Sequence, residues 1–303
     1  MSTTLSVKPV LGKADLTSFI HFPWTVYRGD ANWVPPLKAS VREILDPQRH
    51  PFYEGGRNAE IELFLAREGN RVVGRVAAIL NHSHNHFHGE RVVFFGFFEC
   101  VDRHEVAAAL LEAVEGWGRQ RSATAVRGPM SPSTNYECGL LVEGFDRPPV
   151  LMMTYNPRYY PALVEGAGYT KVKDLLAYHS PVHATHLERM QRLAHRTRER
   201  TPGLTTRGVD LARFNEEVAL VQGIYNAAWE KNWGFVPMTD GEFDWLAREL
   251  KPLVQPDLVR LALLDGEPVG FIMTLPDYNP VLKDLGGSPW RHPLRTVKHL
   301  LFS

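Results

Sequence analysis

Glu99 closes an apolar run in which Phe94, Phe95, Phe97 and Phe98 surround Gly96, and a carboxylate placed there can do proton chemistry. Burial among aromatic rings disfavours the charged form and moves the pKa toward neutrality, as a general base requires. Pairing with an arginine would instead keep the group ionised, so both roles are open from the residues alone. The stretch from Arg127 to Gly139 is the densest polar and turn-forming segment of the chain, and Asn135, Tyr136 and Glu137 are its candidates for substrate contacts, against the alternative of a folded surface loop. Cys138 has no histidine partner in sequence and reads as a buried thiol. His82, His84, His86 and His88 alternate as strand residues facing one zinc ion would. Asn81, Ser83, Asn85 and Gly89 are turn formers, however, and no Cys or carboxylate cluster completes a site, so no metal is expected. The basic run from Arg189 to Arg200 could follow phosphates, but a solvated linker helix explains it as well.

These groups must be positioned by elements whose number the composition bounds. With 303 residues, 44% hydrophobic and 22% charged, the chain has material for about two globular domains. Lys plus Arg equals Asp plus Glu at 34 each, which argues against a dedicated nucleic-acid binder, DNA included. Two cysteines, Cys100 and Cys138, form no disulfide framework, and no apolar run approaches a membrane span, so the expected location is cytoplasmic.

The chain also repeats itself. Asn32-Trp33-Val34-Pro35, a helical stretch and Leu65 to Gly74 recur as Asn232-Trp233-Gly234-Phe235-Val236-Pro237, a helical stretch and Leu261 to Gly270. After Gly74 the first copy continues through an apolar strand from Arg91 to Val101 and an amphipathic helix from Glu105 to Gln120. Strands are expected at Thr124 to Gly128 and Tyr169 to Tyr178, with a further extended run at Val150 to Tyr155 and a helix at Tyr159 to Ala167. The organisation expected is a complete lobe over 1–182, a basic helical linker over 183–204, and a partial second lobe over 205–303. In that second lobe the basic and apolar segment from Trp290 to Phe302 replaces a central strand and helix. Trp229, Trp233 and Trp245 read as core residues.

Three passages resemble the Gcn5-related N-acetyltransferase (GNAT) superfamily, in a tandem form. They are Phe98-Glu99-Cys100-Val101 running into the helix from Glu105, the segment from Asn156 to Tyr169 in which Asn opens a helix ending at Gly-Tyr, and the twice-met turn Asp/Glu-Gly before Val-Gly. The resemblance implies an α/β mixed-sheet acyl-CoA N-acyltransferase fold, tandem duplicated with a truncated second copy. It implies acyl-CoA or acetyl-CoA as co-substrate, its pyrophosphate held at a helix N-terminus. Val101, Arg103, Ala107, Ala108 and Asn156 are the matching positions. Val106 stands where the family places its first glycine, and Glu105 brings a negative charge there.

The implied reaction is attack of an amine on a thioester, with Glu99 as base. Tyr159 and Tyr160 are the acid candidates, because the usual tyrosine position falls at Leu163. The acceptor would be a small-molecule or lipid amine, and the segment from Trp290 to Phe302 could contact a membrane surface peripherally. Two other readings keep the fold: transfer from aminoacyl-tRNA, which the neutral charge balance disfavours, and a non-catalytic binding module.

Overall fold

The structure, a computed structural model, describes residues 4–181 and 183–289 and divides the chain into two units. Of the described residues, the first holds 4–172, 234–236 and 277–289; the second holds 173–181, 183–233 and 237–276. Residues 290–303, on which the basic and apolar segment falls, lie outside the described residues.

In the first unit the elements are β1 (Leu5–Pro9), α1 (Gly12–His21), α2 (Pro23–Val26), α3 (Lys38–Ile44), β2 (Ala59–Glu68), β3 (Arg71–Asn81), α4 (His82–His88), β4 (Val92–Cys100), α5 (His104–Arg119), β5 (Ala125–Arg127), β6 (Met130–Ser131), β7 (Glu137–Cys138) and α6 (Tyr160–Gly166). Strands β1 to β5 form one sheet in that order, antiparallel except that β5 runs parallel to β4 after the α5 crossover. This is the α/β mixed-sheet order that the motifs imply.

Strands β3 and β4 are apolar along most of their length, Arg75 and Glu99 aside, because both faces are covered. One face packs against α5 and α6 through Val106, Leu110, Val114, Leu163 and Phe95. The other packs against α1 and the turn at Phe52 and Tyr53. Each large side chain buried on these faces contributes about 1.5–3 kcal/mol.

The second unit holds α7 (Ala184–Arg200), β8 (Leu204–Gly208), α8 (Phe214–Trp229), α9 (Asp240–Leu250), β9 (Val259–Leu264) and β10 (Glu267–Met273), after which α10 (Asn279–Leu285) belongs to the first. Its antiparallel sheet has the order β10-β9-β8. The duplication is visible in the backbone. In β3 the register slips at Val73, just before Gly74, and in β10 it slips at Val269, just before Gly270.

Several local expectations are corrected. The histidine run is helix α4, not a loop between strands: the Asn81 side chain caps the His84 N–H, and Gly89 stops the helix at φ 64°. Residues 169–178 carry no strand, and the run at 150–155 is broken by a turn at Leu151 and Met152.

Candidate functional site

Strand β4 reaches the site through a bulge. Arg75 faces Glu99 and Ala77 faces Gly96, so β4 spends three steps where β3 spends two, and Phe97 takes φ 49°. One extra residue reverses the alternation, leaving Phe95 and Phe98 on the α5 face and turning Glu99 toward Arg75. Arg75 lies beside α1, donating to the Phe19 carbonyl at 2.9 Å with its guanidinium over the Phe19 ring.

Glu99 is 12% exposed and lies 3.6 Å from the Arg75 guanidinium. Burial raises its pKa to about 7, against the opposing pull of Arg75 and of the Tyr160 and Tyr27 hydroxyls, while Glu137 pushes it further up. Burial also lowers the pKa of Arg75, and its Nε has no partner among the described residues.

A second strand of contacts comes from α6, which Pro161 starts in its first turn. The Tyr160 hydroxyl donates to Glu99 Oε2 at 2.5 Å and accepts the Cys100 N–H at 2.9 Å. Tyr159 donates to the Cys100 carbonyl at 2.9 Å. Burial raises the pKa of both tyrosines, with Glu99 adding to the effect at each, so each acts here as a neutral hydrogen-bonding group. The Cys100 thiol is pushed up to about 12 by burial and stays protonated.

Of the loop candidates, Glu137 accepts from Thr154 at 3.1 Å and is solvent-accessible, yet surrounding protein holds its carboxyl above the usual range, with Thr154 and Arg75 opposing. Asn135 donates to the Val236 carbonyl at 3.1 Å, and the Tyr136 ring packs on His50 and Phe52. These two fasten the loop. Sequence reasoning missed Arg75 and Tyr27, although a lone arginine in the apolar run from Val72 to Leu80 was the available signal.

The positions that the resemblance assigns to a CoA cradle are otherwise engaged. Val101 N–H bonds the Val73 carbonyl, and Ala107 is buried in the core. Ala108 lies on α5 and is partly buried. Asn156 is buried and spends its amide on Leu141 and Pro157. Arg103 holds Glu68 at 2.8 Å and Glu105 at 2.7 Å. Glu105 turns onto its own main-chain N–H at the start of α5, and this bond, together with Arg103, keeps its carboxyl below the usual range. A negative group of the chain thus sits at the helix end, and the exposed Arg103 and Glu105 side chains would part to admit a pyrophosphate there.

The histidines make no metal site. His84 bonds Glu90 at 3.0 Å and packs edge-on against Phe94, His82 bonds Glu60 at 3.2 Å, and His88 reaches the Phe235 carbonyl at 2.8 Å. Among the described residues no group of three or more His, Cys, Asp or Glu could hold a metal ion.

Two curated proteins match nearly the whole chain. Protein YghO of Escherichia coli (strain K12) is 36% identical over 283 residues, covering 93% of this chain and 71% of its own length. Bacterial ceramide synthase of Caulobacter vibrioides (strain NA1000 / CB15N) is 38% identical over 285 residues, covering 93% and 73%. The chain belongs to their family. No family model matches it. Among solved structures, a tandem GNAT protein from the clavulanic acid biosynthesis pathway covers 89% of this chain and 75% of its own, at 15% identity and a TM-score of 0.45. In this chain, the Glu99 network is the feature of the first unit whose chemistry calls for an explanation. Among the described residues no helix is long and apolar enough to cross a membrane.

Proposed function

We propose that the chain is an N-acyltransferase that joins an acyl group from acyl-CoA to a lipid-like amine. The observation that carries this reading is the 38% identity with bacterial ceramide synthase across 93% of the chain. The first unit supports it chemically. An amine attacks a thioester only after losing a proton, and a buried carboxyl near pKa 7 accepts that proton at neutral pH. Arg75 and Tyr160 fix the orientation of Glu99, and Glu137 adds a second carboxylate that favours an incoming ammonium over an anion. Long-chain amine substrates fit the relative's name.

The test is thiol release and amide formation, measured with acyl-CoA donors from two to sixteen carbons and a long-chain primary amine. Glu99→Gln is expected to lower kcat on the order of a hundredfold or more and to flatten the rise of rate with pH near 7. Unchanged turnover in Glu99→Gln removes Glu99 from the reaction.

The engaged Cys100, Arg103 and Glu105 favour a second reading, in which the first unit binds an amine and transfers nothing. Amine binding without thiol release from any donor would select it.

A further inference from the structure

Helix α7 has 17 residues and neither glycine nor proline, so it extends about 25 Å. Every side chain from Leu187 to Arg200 is exposed. Leu187, Met190, Leu193, Ala194 and Thr197 recur at helical spacing along one stripe, and the three large apolar ones are each more than half exposed. The opposite face carries Glu188, Arg192, His195, Arg196 and Glu199, tied by the pairs Arg192 with Glu188 and His195 with Glu199. Arg189 and Arg200 flank the apolar stripe. Counting Arg189, Arg192, Arg196, Arg198 and Arg200 against Glu188 and Glu199, the helix carries five positive and two negative charges. Just before it, Leu175, Leu176 and Tyr178 are also exposed.

An apolar stripe left in water is unfavourable, and a cationic back on the same helix names the surface that would cover it. We propose that α7 lies in the headgroup plane of an anionic bilayer, with Leu187, Met190 and Leu193 in the acyl boundary and the arginines among the phosphates. A strongly polar face, low mean hydropathy and arginines bordering aliphatic residues are the features that hold a helix in that plane. An RNA track would use the arginines but gain nothing from the three aliphatic side chains, so the apolar stripe decides between the two. This inference does not depend on the transferase reading, and its test measures partition rather than turnover.

The whole chain is sedimented with vesicles of phosphatidylcholine alone and of phosphatidylcholine with about a third phosphatidylglycerol. Binding to the mixed vesicles only is expected. Replacing Arg189, Arg192 and Arg196 by Gln should weaken it on the order of a hundredfold, since each arginine near an anionic surface is worth roughly a factor of five. Replacing Leu187, Met190 and Leu193 by Ser should weaken it at least about tenfold. Because α7 is exposed, the circular dichroism and thermal transition of both variants should match those of the parent. No binding to the mixed vesicles overturns the proposal. So does undiminished binding by the serine variant, or RNA binding that this variant retains while the parent leaves the vesicles unbound.

Discussion

In the hairpin of β2 and β3 the bulged valine, Val73, is 1% exposed, whereas its counterpart Val269 in the hairpin of β9 and β10 is 53% exposed. Both hairpins turn at a glycine with positive φ, Gly69 at 57° and Gly266 at 89°, and both slip register one residue before a glycine. Local sequence therefore builds the same hairpin twice. What differs is the cover. Strand β4 pairs along β3, and α5 lies over Gly74. Among the described residues β10 pairs with β9 alone, and a groove of about 510 Å³ stays open beside it, lined by Ala219, Leu220, Gly223 and Ile224 of α8 with Pro268 and Val269. The lesson is that the hairpin is a module, while the Glu99 site arises only where a bulged strand and a helix close over it.

The sharpest test of that difference is the paired glycine. A Cβ on Gly74 would lie 2.6 Å from Leu110 Cδ1 and 3.1 Å from Val106 Cγ1, both in the packed core. On Gly270 the nearest atom is the Ala262 Cβ at 4.0 Å. Gly74→Val should therefore destabilise the protein by about 3 kcal/mol through overpacking, and Gly270→Val by less than about 0.5 kcal/mol, as expected away from packed features. Denaturant midpoints of the two variants decide it. Equal losses would mean that β10 is as fully covered as β3.

Much of this was legible because the apolar run of β4 can only be central, and a carboxylate at its end must be buried. The Asn81 cap and the Gly89 stop of α4 were also in plain view, but strict alternation of four histidines suggested a strand period and hid them. The bulge at Phe97 was not legible. Four phenylalanines around one glycine fill both faces in either register, so nothing in the residue pattern says where the extra residue goes or which way Glu99 turns. Nor could the sequence show that Tyr159 and Tyr160 would take the Cys100 main-chain groups, since adjacent tyrosines on a short helix have several apolar surfaces to meet.

The charge that β4 brings to the covered hairpin sets a second, smaller difference, which pH exposes. Glu99 titrates near 7 in the folded protein and near 4.5 when exposed, so the native state keeps a proton that the unfolded chain releases between those values. Stability should fall as pH rises through that window, by about 2 kcal/mol between pH 5 and 8, and level off above it. Glu99→Gln removes the ionisation and should flatten this part of the profile. The position matching Arg75 in β10 is Phe271, so no comparable dependence is expected from the second hairpin. Thermal melts of both proteins from pH 4.5 to 8 measure the slopes, and parallel curves would show that Glu99 is not the titrating group.

The smallest effect isolates the tyrosine that fastens β4. In Tyr160→Phe the ring still packs against Phe98, but the Cys100 N–H loses its acceptor and Glu99 loses one of its donors. Leaving the buried Cys100 N–H unpaired, with Glu99 keeping Arg75 and Tyr27, should cost between about 1 and 2 kcal/mol. The loss should be larger at pH 8 than at pH 5.5, because the hydroxyl stabilises the carboxylate form of Glu99 and its removal raises that pKa further. Tyr159→Phe releases only the Cys100 carbonyl, which keeps no link to Glu99 through this hydroxyl, so its loss should be independent of pH. A pH-independent loss in both variants would assign Tyr160 to packing alone, and the closure over the first hairpin would then rest on shape without the hydrogen-bonded charge.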